Sequence, residues 1–290
     1  MKNVLIIGCG DIGERVAALE KGDGSRVMGL ARSEGSAERL RSGGIEPIRA
    51  DLDEPVTLTG LPTADSVLYY FAPPPAMGVI DTRMKAFLDT LTARNLPARI
   101  VLISTTGVYG DCGGAWVTEE RRPQPGTDRA RRRLSAEQGL RRRADEFNLP
   151  WVILRVPGIY GPGRLPLERL RRGEPVLREE EAPFTNRIHA DDLARVCVAA
   201  SRRGEAGSVY NVSDGEPSTM TDYFYQVADF FGLPRPPAIS LEEARKRLSP
   251  GMVSYLSESR RIDNGRMVQK LGIQLVYPDL QRGLKACPHG

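Results

Sequence analysis

Three glycines near the start of the chain constrain its fold more than any other feature. Gly8, Gly10 and Gly13 form a GxGxxG pattern between an apolar run and an amphipathic stretch, and Asp11 and Ile12 lie inside the pattern. The first two glycines permit a tight turn and the close approach of a pyrophosphate, and the third lets a helix pack against a strand. The helix N-terminus adds N–H donors and a partial positive charge. The pattern therefore predicts a dinucleotide-binding turn, and a tight turn without a ligand is the alternative.

Short apolar runs alternate with amphipathic stretches through the first half of the chain. Their β-branched residues suit strands that are buried on both faces, as in a parallel sheet. The predicted strands are 4–7, 27–30, 45–48, 67–71, 100–103 and 151–156. One predicted helix between them has an apolar face formed by Val79, Ile80, Met84, Phe87, Leu88 and Leu91. Repeated strand–helix–strand units with right-handed crossovers predict a doubly wound α/β fold.

Composition and charge narrow the class of protein. The chain of 290 residues has 41 basic and 37 acidic side chains and a formal net charge of +4, a balance that is not typical of nucleic-acid binders. Its 4 cysteines lack CxxC spacing, so neither a disulfide framework nor a metal site is expected. The first apolar run is too short for a signal sequence or a membrane span. We expect a cytoplasmic protein with a small-molecule substrate and no nucleic-acid or membrane partner.

One segment departs from this charge balance. Residues 121–143 contain nine arginines but only two acids, Asp128 and Glu137. A solvated helix face explains such a run, and an acidic partner or a ligand phosphate is the alternative.

The residues after the second predicted strand affect the choice between NAD and NADP. An NAD site places an Asp or Glu about 20 residues beyond the glycine turn, where it binds the ribose hydroxyls. This chain has Arg32 and Ser33 after that strand. A guanidinium binds the 2′-phosphate of NADP well, so NADP is expected, NAD remains possible, and an exposed arginine without this role is the alternative. Asp51, followed by Leu52, is either an acceptor for the adenine amino group or an ordinary turn aspartate.

Six segments, in this order, resemble the extended short-chain dehydrogenases/reductases, the NAD-dependent epimerase/dehydratase superfamily. They are GCGDIG from Gly8, ADL from Ala50, STTGVYG from Ser104, LRVPGIYGPG from Leu154, NRIHADDLA from Asn186 and YNVSDGEP from Tyr210. The resemblance implies a Rossmann domain, expected at 1–163, and a small C-terminal α/β substrate lobe at 164–290. Residues 186–213 are expected to return to the main sheet.

The resemblance also implies further cofactor contacts. Residues after the fourth strand, where the loop passes the cofactor ribose, are Phe71, Ala72 and Pro73. A second stretch would lie along the nicotinamide and consists of Pro157, Gly158 and Ile159.

The catalytic set implied by the resemblance is incomplete. Members of this superfamily have a Ser or Thr four residues before the Tyr of the VYG motif. Here that motif Tyr is Tyr109, so Thr105 has this position and would bind a substrate oxygen. Counting back from Glu137 puts Arg129 in the place of the family Tyr and Arg133 in the place of the family Lys. A guanidinium stays protonated at pH 7, so Arg129 can stabilise an alkoxide but cannot serve as an ordinary base. Arg133 can still bind the nicotinamide ribose. The chain thus resembles the atypical members of the superfamily, which lack the YxxxK pair.

The missing proton donor has several candidate replacements: Tyr109, Tyr160, His189 or a water molecule. Each of these side chains also has a structural interpretation, since the tyrosines can pack around the cofactor and the histidine can hold the lobe against the sheet. We therefore expect an NADP-dependent oxidoreductase or an epimerase/dehydratase-type enzyme that acts on a small carbonyl or sugar-type substrate. The alternative is a non-catalytic NADP(H)-binding sensor or interaction module. The chain is expected to be a monomer or a homodimer.

Overall fold

The computed structural model describes residues 1–247 and 256–288 of the chain. Its strands are β1 (Asn3–Ile7), β2 (Arg26–Ala31), β3 (Glu46–Arg49), β4 (Val67–Tyr70), β5 (Arg99–Thr105), β6 (Trp116–Val117), β7 (Trp151–Val156), β8 (Gly158–Tyr160), β9 (Val176–Leu177), β10 (Phe184–Thr185), β11 (Arg187–His189), β12 (Ser208–Asn211), β13 (Ser218–Thr219), β14 (Ala238–Ile239) and β15 (Arg261–Ile262). Its α-helices are α1 (Asp11–Gly22), α2 (Glu34–Ser42), α3 (Thr82–Asp89), α4 (Asp128–Phe147), α5 (Leu167–Arg171), α6 (Ala190–Arg203), α7 (Met220–Phe230), α8 (Leu241–Arg247), α9 (Gly265–Leu271) and α10 (Leu280–Lys285). Short 3₁₀ helices are Pro55–Leu58, Thr106–Tyr109 and Glu179–Glu181.

A parallel sheet of seven strands forms the centre of the molecule. Its strand order is β3–β2–β1–β4–β5–β7–β12, and each neighbouring pair is parallel. The order of the strands reverses between β1 and β4. In open α/β sheets this switch point opens a crevice at the carboxyl ends of the strands, where ligands bind.

Helices cover both faces of this sheet, as the sequence predicts. One apolar layer joins the sheet to α1, α2, α6 and α9, and the other joins it to α3 and α4. The strands β4 and β7 are buried along their whole length, which explains why they read as continuous apolar runs. The doubly wound, Rossmann-type α/β fold is therefore confirmed.

The predicted helix after the fourth strand begins later than its apolar pattern indicates. The Asp81 side chain caps α3 by accepting a hydrogen bond from the Met84 N–H at 2.9 Å. Val79 and Ile80 precede this cap and are 46% and 55% exposed, so the prediction that they belong to the buried face is wrong. An N-cap side chain fixes where a helix begins, because it accepts hydrogen bonds from the first free amides of the helix.

The arginines of α4 are only partly a solvated face. Arg132 donates to the Gly78 carbonyl at 2.5 Å, and Arg143 donates to the Leu88 carbonyl at 3.1 Å. These guanidiniums satisfy carbonyl groups on and before the neighbouring helix α3. Part of the arginine run therefore stabilises the packing of α3 on α4, which sequence reasoning alone did not anticipate.

The later part of the chain adds small elements beside the carboxyl edge of the sheet. The strand β11 pairs with β8, while β9 pairs with β14, β10 with β13 and β6 with β15. A separate apolar cluster joins α5, α7 and α10. Between these elements, α6 packs against α1 and β12 joins the main sheet. Among the helices of the described ranges, none combines the length and the apolarity that crossing a bilayer requires.

Candidate active site and cofactor site

The glycine turn lies at the switch point of the sheet. Gly8 has a φ of +87°, and a Cβ at this position would lie 2.3 Å from the backbone nitrogen of Ala72. Gly13 is less tightly enclosed, since a Cβ there would lie 3.2 Å from an Ile6 methyl group. Gly10 differs, because a Cβ there would meet no heavy atom of the described residues within 4 Å. The turn is therefore pressed against the end of β4 and open where α1 begins.

This geometry fits a bound dinucleotide. Gly10 is the N-cap of α1 and has no side chain with which to cap the first amides of the helix. The open space above it is the space that a bulkier residue would fill. A helix N-terminus with a clear approach binds phosphate through its amides and its partial positive charge.

A cavity of about 330 Å³ lies beside the turn, at the ends of β2, β3 and β4. Its lining includes six of the residues expected at the cofactor, namely Gly8, Arg32, Asp51, Leu52, Ala72 and Pro73. The Asp51 carboxylate accepts a hydrogen bond from the Asp53 N–H at 2.9 Å, so it makes the turn contact that was one of its two interpretations.

Arg83 also lines this cavity, and sequence reasoning missed it. Its guanidinium donates to both carboxylate oxygens of Asp53, at 2.7 and 2.6 Å, and to the Pro73 carbonyl at 3.1 Å. The hydrogen bond from Arg83 lowers the pKa of Asp53. The cavity is thus bordered by two guanidiniums, that of Arg83 and that of the exposed Arg32.

The other residues expected at the cofactor have structural contacts of their own. Ser33 caps α2, where its hydroxyl accepts a hydrogen bond from the Ser36 N–H at 3.2 Å. The Phe71 N–H donates to the Ile7 carbonyl at 2.7 Å and continues the pairing of β4 with β1. Ile12 is buried in the sheet-facing side of α1. These residues shape the edge of the sheet whether or not they also touch a ligand.

The Asp11 carboxylate is held by two arginines. Arg15 donates to it at 2.8 Å from within α1, and Arg164 donates at 2.5 Å from the segment after β8. The contact with Arg164 joins the start of α1 to the segment that follows β8. The side chain of Asp11 is therefore engaged in two ion pairs.

A second cavity, of about 370 Å³, lies at the carboxyl ends of β5 and β7. It brings together Thr105, Arg129 and the stretch Pro157, Gly158 and Ile159, which are far apart in the chain. The Thr105 hydroxyl oxygen accepts a hydrogen bond from the Gly107 N–H at 3.2 Å. Its hydroxyl hydrogen can therefore be donated to an oxygen atom in the cavity.

Arg133 lies beneath the glycine turn. Its guanidinium donates to the Ala72 carbonyl at 3.1 Å, and the Ala72 nitrogen is the atom that leaves no room for a side chain at Gly8. Burial lowers the pKa of Arg133, and the charge of Asp81 opposes this shift. Arg133 thereby ties α4 to the loop after β4.

The candidate proton donors are either hydrogen-bonded elsewhere or outside the lining of this cavity. Tyr109 is 1% exposed and donates its hydroxyl hydrogen to the Asn211 side chain at 2.7 Å, so it packs under the site and does not face the cavity. Tyr160 reaches the cavity, but its hydroxyl donates to the Asp279 carbonyl at 3.2 Å and burial raises its pKa. His189 is not part of the cavity lining: it is fully buried, caps α6 through Nδ1 and has its pKa lowered by burial, while its Nε2 has no hydrogen-bond partner among the described residues. The geometry argues against all three as the group that replaces the missing tyrosine.

A buried ion pair supports the site from below. Arg155 in β7 donates to the two oxygens of Glu137 in α4, at 3.1 and 2.7 Å, and both side chains are at most 3% exposed. Ser104 donates to the same carboxylate at 2.5 Å, and the Arg155 guanidinium lies 4.7 Å from the centre of the Tyr109 ring. This network fixes α4, which carries Arg129, against the strand that ends in Thr105. Arg155 lies inside the LRVPGIYGPG segment but was not singled out from the sequence.

The family model described as "NAD dependent epimerase/dehydratase family" matches residues 4–213. The chain belongs to this family. The match confirms the resemblance drawn from the sequence motifs, and membership in an NAD-dependent family supports a nicotinamide dinucleotide as the cofactor.

Individual proteins of known sequence or structure are similar to this chain over nearly its whole length. Protein YeeZ of Escherichia coli (strain K12) is 27% identical over 291 residues, which cover 96% of this chain and 97% of YeeZ. A solved structure of a functionally unknown conserved protein from Silicibacter pomeroyi DSS is 33% identical, covers 99% of this chain and 98% of its own, and has a TM-score of 0.83. UDP-glucuronic acid 4-epimerase from Bacillus cereus, solved with UDP-glucuronic acid and NAD, is 21% identical, covers 98% and 97%, and has a TM-score of 0.76. At that identity it shows the shared fold alone.

Proposed function

We propose that the protein binds NADP(H) across the carboxyl edge of the sheet and acts as an oxidoreductase or epimerase/dehydratase-type enzyme on a small carbonyl or sugar-type substrate. The observation that carries this proposal is the pair of cavities at the carboxyl edge of the sheet, one beside the glycine turn and one at the ends of β5 and β7. One contains Arg32 and suits the adenosine phosphate, and the other contains Thr105 and Arg129 and suits the reacting group. In this proposal the pyrophosphate binds to the open start of α1 at Gly10.

NADP(H), held by the start of α1 and by Arg32, would supply the hydride-transfer chemistry when bound. Thr105 donates a hydrogen bond to the substrate oxygen, and the Arg129 guanidinium stabilises the negative charge that develops there. Since Arg129 stays protonated, it holds this charge without delivering a proton of its own. Because the hydroxyls of Tyr109 and Tyr160 are hydrogen-bonded elsewhere and His189 lies outside the cavity lining, the proton is supplied by water at the cavity.

Turnover tests this assignment. With NADPH and a panel of small aldehydes, ketones and keto-sugars, Thr105→Val is expected to lower kcat about 100-fold, because one positioned donor to a developing oxyanion contributes on that scale. Arg129→Met should lower kcat similarly, while Arg129→Lys, which keeps the charge, should retain part of the activity. Calorimetry should show unchanged NADPH affinity in all three variants. Wild-type turnover that is insensitive to both positions would contradict these roles.

Cofactor preference tests the role of Arg32. Arg32→Ala is expected to lower NADPH affinity about 10- to 100-fold, since a hydrogen bond to a charged group contributes about 1.5–3 kcal/mol. The affinity for NADH should stay the same because NADH lacks the 2′-phosphate. Arg26→Ala is the matched control, as Arg26 begins β2, the strand that Arg32 directly follows, and pairs with Glu46 on the surface. If Arg32→Ala lowers both affinities equally, this arginine does not discriminate the phosphate.

The second candidate is a non-catalytic NADP(H)-binding sensor or interaction module. It is favoured by Arg129 and Arg133, which stand where the family has its catalytic Tyr and Lys. Tight NADPH binding without turnover across the whole carbonyl panel would support this candidate over the enzyme.

A further inference from the structure

The cavity that contains Thr105 has an excess of positive charge. Its described lining holds four arginines, namely Arg129, Arg169, Arg187 and Arg260, and a single acid, Glu258. Arg260 pairs with Glu258 at 2.9 Å, so the one acid of the lining is already engaged. The described lining therefore carries more positive than negative side chains.

Arg187 is the most deeply buried of these arginines, at 5% exposure. Its guanidinium donates to the hydroxyls of Ser218, at 3.0 Å, and Thr185, at 2.8 Å. It also lies 4.1 Å from the centre of the Tyr223 ring. All these partners are neutral, and among the described residues Arg187 forms no ion pair. Such a set of contacts fixes the guanidinium in place without supplying the counter-charge that a buried cation requires.

The acids around Arg187 compensate its charge incompletely. Asp214 lies close by, but burial raises the pKa of its carboxyl to about 7, and that carboxyl accepts a hydrogen bond from the Glu216 N–H at 3.1 Å. Asp222, on α7, accepts a hydrogen bond from the Gln226 amide at 2.7 Å. Burial lowers the pKa of Arg187 itself, and the nearby tyrosines and acids offset this only in part. The position therefore favours an anion from outside the chain.

Arg169 borders the same cavity from α5. Its guanidinium lies 4.6 Å from the centre of the Phe224 ring and donates to the Pro175 carbonyl at 3.1 Å. The Glu174 carboxylate, 3.3 Å away, is 38% exposed and therefore well screened by solvent. Two arginines of the later part of the chain are thus each held on an aromatic ring at one cavity, an arrangement that suits recognition of an oxyanion.

We propose that the substrate is a small carbonyl compound that itself carries a carboxylate or phosphate group, and that Arg187, with Arg169, binds this oxyanion while Thr105 and Arg129 face the reacting oxygen. This rests on the proposed function and names the substrate class of the same site. A charged group bound at one end of the cavity orients the carbonyl at the other, which raises the effective concentration of the reacting atoms.

Ligand-observed NMR and calorimetry on the full chain test this assignment without requiring turnover. The probes are glyoxylate, pyruvate and dihydroxyacetone phosphate, together with the uncharged glycolaldehyde, acetone and dihydroxyacetone. At least one anionic probe should bind at least about tenfold more tightly than its uncharged counterpart. Whether the carboxylates or the phosphate bind more tightly distinguishes the two oxyanions.

Substitutions locate the binding group. Arg187→Met and, independently, Arg169→Met should each reduce the preference for the anionic probe at least about fivefold while leaving NADPH affinity unchanged. Arg171→Met is the control, because Arg171 lies on the same helix as Arg169 but is exposed and paired with Glu168. Equal binding of charged and uncharged probes by the wild type, or an intact preference in both variants, would overturn the proposal. If the wild type does not bind NADPH at all, the proposed function is overturned instead, so the two failures can be told apart.

Discussion

Gly10→Ala is expected to lower the affinity for NADPH at least about 100-fold, which corresponds to about 3 kcal/mol of binding free energy, and to leave the free energy of unfolding nearly unchanged. The structure separates these effects because a methyl group at Gly10 meets none of the described residues within 4 Å, and the φ of −96° there is open to alanine. The methyl group would instead occupy the approach of the pyrophosphate to the amides of α1. Calorimetric titration and urea unfolding measure the two quantities.

Gly8→Ala is the matched comparison, and its main effect should be on the free energy of unfolding. Its methyl group would lie 2.3 Å from the Ala72 nitrogen, on a backbone with a φ of +87°. This clash with backbone, added to the cost of a left-handed conformation, should destabilise the fold by at least about 3 kcal/mol. If Gly10→Ala binds NADPH as tightly as the wild type does, the turn is not the pyrophosphate site.

Glu137→Ala is expected to destabilise the protein by about 3–5 kcal/mol, the largest change in stability that we anticipate from losing a single side chain on α4. The substitution leaves Arg155, which is 3% exposed, without its counter-ion, and it also removes the acceptor for Ser104. A buried charge without a partner costs more than the ion pair contributes. Urea unfolding monitored by circular dichroism measures the loss.

Two further variants distinguish an orphaned charge from a general loss of packing. The double variant Glu137→Leu with Arg155→Met removes both charges and should recover most of the lost stability. Glu146→Ala breaks the exposed pair with Arg143 on the same helix and should change stability by less than about 1 kcal/mol. If the double variant is as unstable as Glu137→Ala, the charge balance of this pair does not explain its effect.

The central strands β1, β4, β5 and β7 could be predicted from the sequence because they are largely buried and so read as unbroken apolar runs. The run 67–71 contains the strand Val67–Tyr70 almost residue for residue. The start of α3 was predicted too early because apolar periodicity does not show where an N-cap lies. Val79 and Ile80 fit the apolar period, but the helix begins only after the N-cap residue Asp81. Capping is a local hydrogen bond, and it overrides the periodicity.

The candidate site divides along similar lines. Glycine spacing and motif order put Gly8, Thr105 and Arg129 beside the two cavities, because these features belong to single segments of the chain. Arg83 and Arg187 could not be found this way, since their significance depends on what surrounds them in three dimensions. A long side chain reaches across elements, and the burial or charge balance at its tip is not written in its neighbours along the sequence.

Tyr109 shows a limit of sequence spacing. The sequence left it either as a proton donor or as a packing residue, and the 3₁₀ turn Thr106–Tyr109 directs its hydroxyl to Asn211. Sequence spacing identified the segment correctly but could not tell which way the side chain faces.

Titration of NADPH and of NADH into the folded wild-type chain, followed by calorimetry, tests the central claim most directly. We predict that one dinucleotide binds per chain and that NADPH binds at least about tenfold more tightly than NADH, since the phosphorylated form gains the contact with Arg32. If neither dinucleotide gives a heat of binding, the proposed cofactor site is contradicted. If NADPH and NADH bind equally tightly, the proposed preference for NADP is wrong.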